Sequence, residues 1–510
     1  MIMKKIINIA FASIFILLTA CSKDIGNYDY TKINDLQITD GVLPGLHNTN
    51  RIYSIPFGDA LNISPTIEGT ISGDDLSQVE FLWTIDEKVV SNSKDLQYIV
   101  NEKYGKLNGV FKITDKTTSI VKTYAFFVEV INNFKVGYYF LTENNNKDAS
   151  MYCIPTSSAD FGLKEIIIPK LGNYGKNPFY LGGYLRYGNS TSDYWNIIFL
   201  GIKDATYPVS VIESKEFSTF RLYDNNSYLG QGILDFAPNQ MYHDPGFSND
   251  VMHGVINGKL HIFSRGAVSE AKFSKDPDNY HIGTNGLFKM HSQLSLEQFV
   301  AFFDDANKKI RLISAGSNVP FNFSVDHNVT QTPGLFTGHE FLFGTYYNSP
   351  PTNIVYTFVT KKDNQLHLFE GTINAITRVS GPLDKIGVAD IPAGSPVSRI
   401  FFNSNQLSYY VGIGKTLYRF QNKAINNVIA LEEYVKLPTD APGNISDFMF
   451  GNVNIRISTT NFNSLLITTT DMTVSSDEKS SIYIYNTQNL TLSNAQKYAL
   501  GSVKGIYVGL

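Results

Sequence analysis

Cysteine is almost missing: the 510 residues hold 2, Cys21 and Cys153. No disulfide framework can be built from them, so the fold must be held by buried apolar surface. Charge is also scarce, with Asp, Glu, Lys and Arg making up 17% against roughly 25% in an average soluble domain. The signs balance, 42 Lys+Arg to 46 Asp+Glu and a net charge of −4, which excludes nucleic acid or anionic lipid binding driven by overall charge. The 9 histidines are scattered, and none forms a His-Glu-x-x-His pair. Gly-x-Ser-x-Gly and Gly-x-x-x-x-Gly-Lys are absent too, so no nucleophile elbow or phosphate-cradling loop is signalled. Long apolar runs are lacking after the first twenty residues. Aromatics are plentiful instead, with 30 Tyr and 35 Phe, and hydrophobic residues reach 43%. That content supports a large core, excludes global disorder, and suits β-rich surfaces.

Residues 1–20 read as an export signal. Lys4 and Lys5 precede an apolar stretch from Ile6 to Leu18 broken only by Asn8 and Ser13. As a helix this stretch rises about 20 Å, short of the roughly 30 Å hydrocarbon core, which fits a signal h-region and not a permanent span. Leu18-Thr19-Ala20-Cys21 resembles the lipobox of bacterial lipoproteins, in which the cysteine thiol takes a diacylglycerol before cleavage. An ordinary secretory signal with an incidental cysteine is the alternative. At about 0.8 kcal/mol per buried methylene, an acylated Cys21 would hold the mature chain on a bilayer. Residues 21–32 are then a polar, lipidated tether. Lys23-Asp24 behind the cysteine is similar to the surface-export signal of Bacteroidota lipoproteins, which implies a lipid-anchored outer-membrane protein facing the cell exterior.

Residues 33–134 alternate apolar and polar positions, most clearly in Phe81-Leu82-Trp83-Thr84-Ile85 and Tyr124-Ala125-Phe126-Phe127-Val128-Glu129-Val130. Breaks at Pro65, Ser72-Gly73-Asp74-Asp75 and Asn108-Gly109 complete the pattern of a β-sandwich, with Trp83 expected in its core. These runs, with Lys23 to Tyr30, Asn62-Ile63-Ser64-Pro65 and Gly137-Tyr138-Tyr139-Phe140-Leu141, resemble the PKD-like lipoprotein family of Bacteroidota along the whole chain. The matching motifs are structural and carry no chemistry. The resemblance implies a PKD/Ig-like sandwich and a setting beside SusCD-like uptake systems, whose TonB-dependent barrel imports oligomers captured by surface lipoproteins.

Residues 135–510 carry a looser repeat of strand, polar turn and strand. Taking Leu260, Ile310, Leu366, Leu417 and Ile482 as markers, the steps are 50, 56, 51 and 65 residues, with fainter copies near Met151 and Val209. A period of about 50 with four short strands per unit predicts an all-β fold: a β-propeller of about seven blades, six or eight staying open, behind the sandwich. A string of sandwiches is disfavoured by the short period and by the lack of a Pro/Ser/Gly-rich linker. Closing the ring requires Gly501 to Leu510 to pair with the segment near Val136 to Leu141, since an unpaired blade would expose a strand edge.

Candidate chemistry is thin. Cys153 between Tyr152 and Ile154 reads as a small buried hydrophobe. Tyr242-His243-Asp244 and Asp276-Pro277-Asp278-Asn279-Tyr280-His281 read as turns before they read as a metal or acid–base site. The stretch from Thr142 to Asp148 reads as a hairpin tip. No catalytic residue, metal ligand set or cofactor is assigned. Tyr194-Trp195 and Tyr346-Tyr347, the latter followed by Asn348-Ser349-Pro350-Pro351, place rings beside turn formers, where they would stack on sugars or pack peptide side chains; as blade packing residues they would do neither. The expectation is a surface-anchored binding lipoprotein that catches an oligomeric glycan or peptide, or docks to a SusCD-like transporter complex, without changing a covalent bond. The rivals are a propeller glycosidase or lyase with central-face carboxylates, and a scaffold contacting only the transporter.

Overall fold

The computed structural model describes residues 32–43, 51–56, 58–101, 105–131, 137–155, 164–165, 173–187, 194–214, 217–229, 236–243, 251–264, 266–271, 279–291, 298–315, 325–327, 329–349, 352–374, 376–377, 379–403, 406–451, 464–475, 479–498 and 500–509. The signal segment 1–20, Cys21 and the tether up to residue 31 lie outside the described residues. The expected all-β class is what the described residues form, with the 3-10 turn Asn225–Ser227 as their only helical element. The chain divides into two compact units, residues 1–131 and 132–510.

In the first unit a five-stranded sheet has the order Arg51–Pro56, Val121–Ile131, Gly105–Asp115, Val79–Ile85, Lys88–Ser91. Its first pair is parallel and the rest antiparallel. Two small sheets, Leu36–Ile38 with Ile67–Gly69 and Ala60–Ile63 with Leu96–Ile99, supply the opposing layer. Period-two alternation decides which face is inside: Leu107, Gly109, Phe111 and Ile113 are buried while the residues between them are not. Leu107, Phe111 and Ile113 join Leu61, Ile63, Ile67 and Leu96 of the small sheets in one core. Trp83 is fully buried there, stacked on Phe111 at 3.9 Å and edge-on to Phe126 at 5.8 Å. Its indole N–H donates to the Ser93 carbonyl at 2.8 Å, so the ring is buried with its polar atom satisfied. Gly109 leaves room for this packing, since a Cβ there would lie 2.3 Å from the Phe126 ring.

The described residues of the second unit form seven four-stranded antiparallel sheets. Each marker of the sequence repeat lies in one of them: Met151, Val209, Leu260, Ile310, Leu366, Leu417 and Ile482 occupy strands Ala149–Pro155, Val209–Glu213, Lys259–Ser264, Lys309–Ala315, Gln365–Asn374, Thr416–Gln421 and Ser480–Asn486. Sheets 2 to 7 are each built from consecutive strands, beginning with Lys176–Tyr187, Pro238–His243, Ile282–His291, Glu340–Ser349, Val397–Asn403 and Asn444–Phe450. Sheet 1 has the order Lys164–Glu165, Ala149–Pro155, Gly137–Glu143, Ser502–Gly509, so a C-terminal strand completes it. We call Ser502–Gly509 and the six initial strands the inner strands. Each touches the next, and Ser502–Gly509 touches both Asn444–Phe450 and Lys176–Tyr187, so the series of contacts returns to its start.

Consecutive sheets share cores. Phe288, Phe303 and Leu312 of sheet 4 pack with Phe341, Tyr356 and Phe369 of sheet 5, and Val359 and Leu368 of sheet 5 pack with Ile400, Tyr409 and Phe420 of sheet 6. Sheets 7 and 1 meet through Leu466, Ile484, Phe140 and Ile506. Sheets 1 and 2 meet where Tyr507 stacks on Tyr139 at 5.9 Å and its hydroxyl donates to Asn196 at 3.1 Å. Every inner strand has a bulge against its second strand, whereas the second and third strands of each sheet pair without one. A bulge bends and twists its strand, which suits strands crowded against two neighbours. The Asn257-Gly258 turn of sheet 3 shows how sequence sets register: both residues have positive φ, 51° and 72°, as a two-residue hairpin turn requires.

Candidate functional site

The aromatic candidates sit in strands and not in loops. Tyr346 and Tyr347 belong to Glu340–Ser349, and Tyr194 and Trp195 open Tyr194–Asp204. Strand propensity of the aromatic run outweighs the turn formers Asn348 and Ser349, which stay in the strand. All four lie toward the hairpin that joins the first strand of a sheet to its second, in sheets 5 and 2. The Tyr194 side chain lies outside the described residues.

Neighbouring strand positions face opposite ways, and Tyr346 and Tyr347 part accordingly. Tyr346 packs against the core shared by sheets 4 and 5. Tyr347 turns toward sheet 6, its ring 6.0 Å from that of Phe402. Its hydroxyl donates to Glu370 Oε2 at 3.2 Å. Asn422, just beyond strand Thr416–Gln421, donates to the same carboxylate oxygen and lies 3.4 Å from the Tyr347 hydroxyl. Two hydrogen bonds thus reach Glu370 Oε2, and among the described residues none reaches Oε1. All three side chains are half-buried. Burial, reinforced by the adjacent Glu370, raises the Tyr347 pKa, so the phenol stays protonated and donating at neutral pH. The arrangement is a hydrogen-bond acceptor beside an aromatic ring, a pairing that orients hydroxyl-rich ligands.

Trp195 packs partly against the core shared by sheets 2 and 3. It is in register with Arg186 on the preceding strand, whose guanidinium lies 5.8 Å from its ring centre.

Other candidates resolve differently. Cys153 is fully buried, and that burial pushes its thiol well above the ordinary range, leaving a packing residue. Tyr242 is half-buried against the core of sheets 3 and 4, while the His243 side chain, Asp244 and residues 276–278 lie outside the described residues. His281 donates its backbone N–H to Asp304 at 3.2 Å. Thr142 and Glu143 end a strand, so the tip is confined to residues 144–148. Among the described residues no group of three or more His, Cys, Asp or Glu is placed to hold a metal ion.

Asp447, on the inner strand of sheet 7, is the buried carboxylate closest in kind to a central acid. Burial raises its pKa, opposed by Arg399 at 3.4 Å and by the backbone N–H groups of Phe448 and Ile506. With those partners the carboxylate bridges three inner strands.

Glu370, Asn422 and Arg186 were not singled out by sequence. Glu370 ends the run Leu366-His367-Leu368-Phe369 as an ordinary strand residue, and Asn422 comes 52 positions later. Only the packing of sheet 5 on sheet 6 joins them.

Residues 21–170 match the model of the PKD-like family, a span that runs from the first unit into sheet 1 of the second. No curated protein matches the chain. Among solved structures, the chain is similar to a quinonprotein alcohol dehydrogenase-like protein of Bacteroides thetaiotaomicron, at 10% identity and TM-score 0.48 over 93% of this chain and 99% of that one. It is also similar to a putative 6-phosphogluconolactonase of Bacteroides uniformis, at 12% identity and TM-score 0.43 over 73% and 99%. The WD40 domain of SCAP from fission yeast follows at 10% identity and TM-score 0.30 over 72% and 86%. Each likeness is too distant to transfer an activity.

Proposed function

We propose that the chain is an envelope lipoprotein, acylated at Cys21 and displayed on the outer membrane, whose second unit captures an oligomeric glycan or peptide for a SusCD-like TonB-dependent complex and breaks no bond in it. In this reading residues 132–510 form a seven-bladed β-propeller, supported by the cyclic contacts of the inner strands and by the cores shared between consecutive sheets. A PKD-like first unit acts as spacer, consistent with the family match. The anchor in this reading is the acylated cysteine of the Leu18-Thr19-Ala20-Cys21 motif.

The observation that carries the binding reading is the clamped carboxylate of Glu370. Tyr347 and Asn422 fix one oxygen beside a half-buried ring, and among the described residues no hydrogen bond takes up the other. A glycan hydroxyl or a peptide N–H completes such an acceptor, while the ring packs against the ligand's apolar face. The rival enzyme needs a second carboxylate at a defined separation and a free proton donor, and Asp447 is already engaged by Arg399 and two backbone groups.

The test is binding of purified protein to immobilised glycan and peptide pools, with the recovered ligand checked for cleavage. Tyr347→Phe, which keeps the packed ring, and Glu370→Gln should each weaken capture by roughly 1 to 3 kcal/mol, measured at a temperature where each variant is shown to be folded. Unaltered affinity in both variants, or cleaved ligand, refutes the reading. Separately, Cys21→Ala should move the protein from the membrane to the soluble fraction, and its retention in the membrane would refute the anchor.

A further inference from the structure

Arg186 is held between two aromatic rings, its guanidinium carbon 5.8 Å from the Trp195 ring centre and 5.4 Å from that of Phe220. Phe220 also lies under Arg221 at 4.9 Å and is 40% exposed. Strand geometry makes the cluster: Arg186 faces Trp195 across the first pair of strands in sheet 2, and Phe220 lies in its outermost strand, Thr219–Tyr223. Among the described residues no hydrogen bond or ion pair engages Arg186, although a guanidinium carries five N–H donors. Glu213, on the third strand of the sheet, accepts from the Ser218 hydroxyl at 2.9 Å.

A cation flanked by rings is held in place by their negative faces and is partly stripped of water. Its planar fork matches a carboxylate through two parallel hydrogen bonds, a geometry lysine cannot offer. An apolar platform with a fixed fork therefore selects a ligand that has an apolar face and a carboxylate in one rigid unit. A uronic-acid sugar is such a unit. An acidic peptide carries its carboxylate on a flexible side chain and would lose more rotational freedom on binding.

We propose that Trp195, Arg186 and Phe220 form a subsite for a uronic-acid unit of an oligosaccharide, with Arg186 binding the carboxylate and the rings packing on the sugar's C–H face. This rests on the capture reading above but concerns a different sheet from Glu370. Calorimetry on the purified full chain would compare an oligogalacturonate with its methyl ester, which has the same backbone and no charge. The acid should bind at least about tenfold more tightly than the ester. Arg186→Gln should abolish that preference, leaving acid and ester to bind that variant alike, and Arg186→Lys should restore only part of it. Should Arg186→Gln fail to fold, the wild-type preference must still fall as salt rises and shrink in Phe220→Ala.

Equal binding of acid and ester, a preference that survives Arg186→Gln, or tighter binding of an oligoglutamate peptide overturns the subsite. If a neutral glycan binds through Tyr347 while the acid shows no advantage, the subsite falls and capture stands. If no glycan or peptide binds, both fall.

Discussion

Gln240 closes the bulge that ends at Leu287: its amide oxygen accepts the Leu287 N–H at 2.9 Å while its amide nitrogen donates to the Gly283 carbonyl at 2.6 Å. Gln240 directly follows the bulge residue of the inner strand of sheet 3, and the gap it fills is the bulge of the inner strand of sheet 4. Asp447 takes the equivalent place in sheet 7, after its own bulge, and meets the Ile506 N–H in the inner strand of sheet 1. In sheet 4 the bulge thus frees backbone groups that a side chain of the preceding sheet satisfies.

Gln240→Ala should orphan one donor and one acceptor, and each unsatisfied buried group costs about 1 to 3 kcal/mol. The urea midpoint should fall accordingly, with Gln240→Glu intermediate because it keeps the acceptor and loses the donor. An unchanged midpoint in Gln240→Ala would show that water replaces the clamp.

Asp447 separates charge from geometry. Burial raises its carboxyl pKa, so the folded state prefers the protonated form more than the unfolded state does, and keeping the charge at neutral pH is destabilising. Asp447→Asn retains an acceptor and removes that charge, so stability at pH 7 should change by less than about 1 kcal/mol. Asp447→Ala removes the acceptor too and should lose roughly 2 to 4 kcal/mol. Equal losses in the two variants would place the value of this residue in the Arg399 pair.

A second titration comes from His339 and His367, buried with ring centres 4.6 Å apart in sheet 5. His339 Nδ1 shares a hydrogen bond with the Thr360 hydroxyl at 2.7 Å. Burial above all, then the neighbouring His367, Lys362 and Lys385, lowers its pKa from 6.5 to about 4. The pKa of His367 is shifted in the same direction, chiefly by burial. The unfolded chain therefore binds more protons between about pH 4 and 6.5, and stability falls as the pH drops through that window. At about 1.4 kcal/mol per unit, the His339 shift predicts a loss of up to roughly 3 kcal/mol by pH 4. Urea titrations at several pH values should show a flatter slope in His339→Gln, and an identical slope in wild type and variant would remove His339 as the cause.

What the sequence made legible follows from the range of each signal. Strand periodicity and the hairpins around Leu260, Ile310, Leu366, Leu417 and Ile482 are local, so the strands stood out before any packing was known. Trp83 was readable as core because an indole flanked by Phe81, Leu82 and Ile85 leaves a strand little else to bury. The Tyr347–Glu370–Asn422 cluster was half legible: the ring sits in an obvious aromatic run, but its partners lie 23 and 75 positions away. The Gln240 clamp and the placing of Arg186 beside Trp195 and Phe220 were invisible, because both depend on register across strands that a one-residue slip would reverse.

Closure of sheet 1 tests the whole second unit. Strand Ser502–Gly509 pairs along Gly137–Glu143, and the nearly buried Glu143 carboxylate holds Lys504 at 3.1 Å and Lys147 at 3.0 Å. Neither ion pair accounts for the closure, since both lysines are partly exposed and such pairs contribute little. The apolar side chains Val503, Ile506 and Val508, buried in the core between sheets 7 and 1, contribute far more. Deleting residues 502–510 would uncover that core and leave Gly137–Glu143 as an open strand edge. Lys504→Ala should therefore shift the melting temperature by only a degree or two, about 0.5 kcal/mol. The deletion should instead abolish cooperative unfolding of the second unit and cause aggregation, while the first unit, with its own core around Trp83, still unfolds as a unit. A deletion protein that melts cooperatively in both units would mean that sheet 1 does not need its fourth strand.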